Sequence, residues 1–183
     1  MGNKQAKMDI KQKELKELRE MTKFSDDEIY ILYNSFKSAS SSRIDDGVID
    51  EQLVELVGMK EGFFFERLFS MFDKNNDGQI VFTEFLRCIS FMTSRMPPDE
   101  RLHYLFRFYD LKQDNVISRD ELKRITEAMF FQYRQNIRED ILNDIVENIF
   151  SSLGLGKDQA IDFDTFSRIP EINTPLIELP SIL

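Results

Sequence analysis

Four times along the chain, apolar residues recur at the i, i+3, i+4, i+7 spacing of a single helical face. The stripes are Ile29, Leu32, Tyr33, Phe36; Phe65, Leu68, Phe69, Phe72; Leu102, Leu105, Phe106, Tyr109; and Leu142, Ile145, Val146, Ile149. A polar loop holding one isoleucine follows each stripe, at Ile49, Ile80, Ile117 and Ile161. Beyond each loop a second apolar run opens, marked by Val54, Phe85, Leu122 and Phe166. The chain is thus a fourfold repeat of helix, loop and helix. One such unit cannot bury its apolar face alone, so the pattern predicts an all-α protein of four units paired in two lobes. Short β contacts through the loop isoleucines are expected to join the members of each pair.

Local signals place the boundaries. Ser25, Asp26, Asp27 and Glu28 form a capping box that opens the first striped helix. Pro97 and Pro98, followed by Asp99 and Glu100, stop one helix and start the next, which puts the lobe boundary near 94–98. The expected organisation is an N-terminal arm at 1–23, one pair of units at 24–95, a second at 96–169, and a tail at 170–183. Pro170, Pro175 and Pro180 make that tail irregular.

The second loop carries the chemistry. Asp73, Asn75, Asp77, Gly78 and Glu84 satisfy the pattern D-x-[DN]-x-[DN]-G-x₅-E without a departure. A hard cation needs six to eight oxygens, and this spacing supplies them from one tight turn. Asp73, Asn75 and Asp77 offer side-chain oxygens, Gln79 its backbone carbonyl, and Glu84 both carboxylate oxygens. Gly78 stands where the backbone must take a positive φ. Val81, at the ninth position, has no oxygen and leaves that corner to water. Three carboxylates facing a divalent ion leave a site charge of about −1, which suits Ca²⁺ and admits Mg²⁺ more weakly.

The sister loops are degraded. The third keeps Asp110, Asp114, the Val116 carbonyl and Glu121, and adds Ser118 at the ninth position. Against this, Lys112 puts an ammonium where the third oxygen belongs, and Asn115 replaces the glycine. Asn tolerates positive φ better than other residues with a side chain, so the lysine is the serious defect. A metal-free structural loop is the first reading there and a second calcium site the other. The first loop, from Ser40, keeps Gly47 and Ile49 but ends on Leu53 in place of the closing glutamate. The fourth has Gly154 at the first ligand position and Thr165 at the last. Both are expected to fold without metal.

Composition narrows the function classes. Of 183 residues 42% are hydrophobic and 31% charged, ordinary values for a folded domain pair. A net charge of −9 and a pI near 4.8 argue against nucleic acid as a partner. One cysteine, Cys88, allows no intramolecular disulfide and fits a reducing, cytoplasmic setting. It reads as a small packed residue. His103 is the only histidine, so no histidine pair exists for metal catalysis. Gly154, Leu155, Gly156 and Lys157 lack the spacing of a phosphate loop. An enzyme is not expected.

The N-terminus adds a membrane question. Met1 and Gly2 approach the myristoylation pattern, but Ala6 stands where Ser or Thr is asked for. Lys4, Lys7, Lys11 and Lys13 would give an acyl chain on Gly2 the basic patch that stable anchoring needs. An unmodified arm is the alternative. Leu15, Leu18 and Met21 then mark a short helical stripe.

These residues resemble the EF-hand proteins of the calcineurin B, calcineurin B-like and neuronal calcium sensor group, over about residues 24–183. Two stretches carry the finer likeness: the serine-rich first loop from Ser40 to Ile49, and the third unit from Tyr109 to Leu122. The resemblance implies a calcium-responsive regulatory subunit in signalling, whose apolar crevice holds a helix from a kinase or phosphatase. It also implies an often myristoylated N-terminus. Here the closing glutamates of the outer units are missing, so fewer ions are expected. Ion binding in such sensors reorients paired helices and exposes an apolar groove. Its candidate lining is Phe64, Phe65, Leu68, Phe69, Phe85, Ile89, Phe91 and Met92, with ordinary core as the competing reading of each. Phe63, Phe64 and Phe65 cannot all face one way on a helix, so at least one should meet solvent or a partner. Two other roles fit the same residues: a subunit that grips a larger assembly permanently, and a membrane-switching sensor using Gly2 and the lysines.

Overall fold

A computed structural model describes residues 10–40, 62–73 and 80–169. Gly2, the first loop from Ser41 with Ile49, and the tail from Pro170 lie outside the described residues. Among those described, the protein is helical apart from two two-residue strands. Its elements are α1 (Gln12–Thr22), α2 (Asp26–Ser40), α3 (Phe63–Ser70), α4 (Phe82–Met92), α5 (Pro98–Tyr109), β1 (Val116–Ile117), α6 (Arg119–Gln132), α7 (Glu139–Ser152), β2 (Ile161–Asp162) and α8 (Phe163–Ser167). No helix among them is long and apolar enough to cross a membrane. The described residues form two compact units, one from 10–40, 65–73 and 80–101, the other from 62–64 and 102–169.

In the first unit α1 packs on α2 and α4, and α2 on α4. Leu15 and Leu18 of α1 are buried, so the short stripe before residue 23 is a packed helix. It ends at Lys23, whose φ of 55° turns the chain and whose N–H donates to the Arg19 carbonyl. The helix α2 starts where the capping box predicts: the Ser25 N–H donates to Glu28 Oε2 at 2.8 Å, and the Glu28 N–H to Ser25 Oγ at 3.3 Å. Ile29 and Leu32 are fully buried, with Phe65, Leu68, Phe69 and Phe72. Many phenylalanines meet here in offset and edge-on pairs, among them Phe65 with Phe69 at 4.2 Å and Phe36 with Phe85 at 5.1 Å. Cys88 lies within this core, 0% exposed, and burial pushes its thiol far above the ordinary range.

Arg101 and Glu28 both find partners within this unit. Arg101, 1% exposed, donates from Nε at 2.9 Å to the Phe91 carbonyl at the end of α4, which also accepts the Ser94 N–H at 3.3 Å. Glu28 also pairs with Arg95 at 3.0 Å. Burial pushes the Glu28 carboxyl up, but the Ser25 hydrogen bonds and Arg95 outweigh it and hold it below the ordinary carboxylate range. A depressed carboxyl stabilises the fold at neutral pH, and that contribution fades as pH falls through the ordinary value of 4.5 and below. Ser25→Ala is expected to cost about 1 kcal/mol in denaturant unfolding at pH 7. That difference should shrink on acidification; a pH-independent cost would remove Glu28 from this account.

In the second unit α5, from Leu102, and α6 flank one loop, and α7 and α8 flank the other. The strands pair antiparallel with Ile117 opposite Ile161, so the loop isoleucines join these two hands as expected. Leu105, Phe106, Ile125, Leu142, Val146, Phe150 and Phe166 fill the core. Pro98 opens α5 as its first helical residue, where a missing N–H does no harm. The contact division falls between Arg101 and Leu102, inside that helix and beyond the 94–98 turn.

Candidate metal centre

The second loop begins where α3 ends. The Asp73 N–H donates to the Phe69 carbonyl at 3.0 Å, and its side chain is half-buried. At the other end Ile80 is buried, and Glu84 is the third residue of α4. The Val81 N–H donates to Glu84 Oε2 at 3.1 Å, which fixes the carboxylate against the first turn of α4. Valine has no oxygen to return that bond, so only half a capping box forms. Glu84 is 9% exposed, a largely closed place for a carboxylate. Asn75, Asp77 and Gln79 lie outside the described residues.

The third loop is described throughout. Asp110, Asp114 and Glu121 bring carboxylate oxygens within 4.8 Å of one another. Asp110, 4% exposed, accepts the N–H groups of Asp114 at 3.2 Å and Asn115 at 3.0 Å. Asn115 takes φ 65°, as its place in the motif requires. Gln113 takes φ 58°, which nothing in the motif announces. Glu121 is only 3% exposed. Its Oε1 accepts the Lys112 N–H at 2.9 Å, and its Oε2 accepts the Ser118 N–H at 2.8 Å and the Ser118 hydroxyl at 2.6 Å. Burial pushes the Glu121 carboxyl up, yet the Ser118 and Lys112 donors and the Lys112 charge together hold it below the ordinary range. The donor set suits a hard divalent ion. An ion held there would share Glu121 with three donors already on it, and Val116 and Ser118 would add the remaining oxygens.

The fourth loop has no comparable set. Gly154 stands at its first position with φ 72°, and the Asp162 carboxylate accepts the Thr165 N–H at 2.8 Å as the cap of α8. Hydrogen bonds from Thr165 hold that carboxyl below the ordinary range.

The apolar residues proposed to line a partner groove are all closed to solvent. Phe64, Phe65, Leu68, Phe69, Phe85, Ile89, Phe91 and Met92 are each 3% exposed or less. Phe63 is the half-exposed member of its triplet, with the Arg124 guanidinium 4.0 Å above its ring.

Residues 65–89 and 103–126 match the EF hand family. The chain is an EF-hand protein. The matched stretches are its two inner hands, the ones with the second and third loops. This EF-hand protein is similar to the type 2 calcineurin B of Dictyostelium discoideum, 27% identical over 158 residues, covering 86% of this chain and 84% of the relative. It is similar also to calcineurin B-like protein 5 of Arabidopsis thaliana, 25% identical over 86% of this chain and 80% of the relative. Calcium-binding protein NCSA of D. discoideum is 32% identical over 66% of this chain and 64% of its own length. The resemblance to the calcineurin B and calcium sensor group therefore holds, and with it the all-α EF-hand fold. The EF-hand protein binds calcium and is not an enzyme, in keeping with relatives named as calcium-binding and calcineurin B proteins.

Proposed function

We propose that the protein is a calcium-sensing regulatory subunit. One ion sits in the second loop, on Asp73, Asn75, Asp77, the Gln79 carbonyl and Glu84. The observation that carries this reading is the unbroken ligand motif inside a matched hand, with its closing Glu84 buried at the start of α4. Ion binding there pulls on the first turn of α4, and helix reorientation is the physical route by which the buried Phe64–Met92 residues become a groove. The occupant of that groove is an amphipathic helix of a kinase, a phosphatase or another member of an assembly. Similarity to calcineurin B proteins supports a protein partner of that kind. The site of action is the cytoplasm, with Gly2 acylation giving access to a membrane surface. An intact-mass increment of a myristoyl group on native protein supports that last element, and its absence removes it.

A second reading is a subunit that holds its partner permanently. The third loop favours it, because Glu121 is tied down by the loop's own donors. Partner capture from cell extract with calcium and with chelator separates the two. Capture by wild type lost in chelator and lost with Glu84→Gln is expected for a sensor; capture unchanged in both favours the permanent subunit.

A further inference from the structure

The fourth loop lacks carboxylates at its first and last positions, yet two of its backbone carbonyls face a cation. That cation is Arg119, the first residue of α6, which follows the third loop. Its Nη1 donates to the Gln159 carbonyl at 2.9 Å and its Nη2 to the Gly156 carbonyl at 3.0 Å. Its Nε donates to Glu147 Oε1 at 2.9 Å, and the guanidinium carbon lies 4.0 Å above the Phe150 ring. Every nitrogen of the fork has an acceptor, and one face of the plane rests on an aromatic ring. We propose that the Arg119 guanidinium is a built-in cation that gives the fourth loop the structural part a metal plays in a working hand.

The chemistry fits. A guanidinium stays charged at any pH a protein survives, and its planar fork can bridge two carbonyls where a lysine ammonium is a point charge. Backbone oxygens in a loop that has lost its first and last carboxylates still carry partial negative charge, which a monovalent cation can satisfy. Placement comes from the strand pair: Ile117 sits opposite Ile161, so Arg119, two residues on, starts beside the fourth loop. Gly156 and Gln159 are themselves drawn together, since the Gln159 side chain accepts the Gly156 N–H at 2.7 Å. The carbonyls therefore stand ready for the fork. Glu147 is 55% exposed, so its ion pair contributes little, and the carbonyls and the ring hold the arginine. The shape of the fourth loop then does not depend on free calcium. It is instead tied to the third hand, which supplies the arginine.

Amide hydrogen exchange of the full chain in chelator tests this. Arg119→Ala should speed exchange across residues 154–162 by about tenfold or more, with α5 protection retained and excess calcium giving no rescue. Arg119→Lys should fall between the two, and Glu147→Gln should stay within about twofold of wild type. Unchanged exchange at 154–162 in Arg119→Ala, or an equal increase throughout the second unit, overturns the proposal, as does restoration by calcium. If the alanine variant does not fold, Arg119→Lys decides: wild-type exchange in its fourth loop overturns the proposal, and selective loosening there supports it.

Discussion

Glu84→Gln is expected to remove the tightest calcium event from a calorimetric titration, lowering affinity there by about 100-fold or more. The substitution keeps shape and one oxygen but withdraws a charge and the second ligand of a two-oxygen contact. The remaining amide oxygen can still accept the Val81 N–H that now reaches Glu84 at 3.1 Å, so α4 should start where it does. The variant in chelator should therefore unfold within about 1 kcal/mol of wild type. Linkage gives a second readout. At calcium 100 times the dissociation constant, wild type should gain about 2.7 kcal/mol over its chelated form, and the variant should gain almost none. An isotherm unchanged by the substitution would move the principal ion away from this loop.

Glu121→Ala is expected to cost about 3 kcal/mol in chelator, where no metal contributes. Nearly closed to solvent, the carboxylate serves the Lys112 N–H, the Ser118 N–H and the Ser118 hydroxyl. Truncation strands those donors at a site water reaches poorly. For a chain of this size the midpoint should drop by roughly 6–12 °C in thermal unfolding. Glu121→Gln retains one acceptor and should fall between. A loss under about 0.5 kcal/mol would mean that water replaces the carboxylate freely. In that case the third loop is not held by its closing glutamate.

Much of this architecture is written in the pattern of apolar positions. Phe65, Leu68 and Phe69 sit where the helical period puts them, and Ile117 meets Ile161 across the strand pair. The turn chemistry is equally readable: Ser25 with Glu28, Pro98 at a helix start, and Asn115 at positive φ. Long polar side chains with acceptors far away in sequence resist such reading. Arg101 and Arg119 look like surface charges, but backbone carbonyls of Phe91, Gly156 and Gln159 hold them. Such pairings follow from packing that no periodicity encodes. The helix α1 shows the same limit: Leu15 and Leu18 predict a stripe, but not that α4 receives it. Paired prolines at 97–98 mark a helix start, whereas the contact division comes later, after buried Arg101.

Burial of the lone thiol has a practical side. Cys88 is fully buried in the core and poorly ionised, so alkylating reagents and air should leave it alone while the fold persists. A cysteine placed at exposed Tyr133 would then take a fluorophore or spin label selectively, without first mutating the native one.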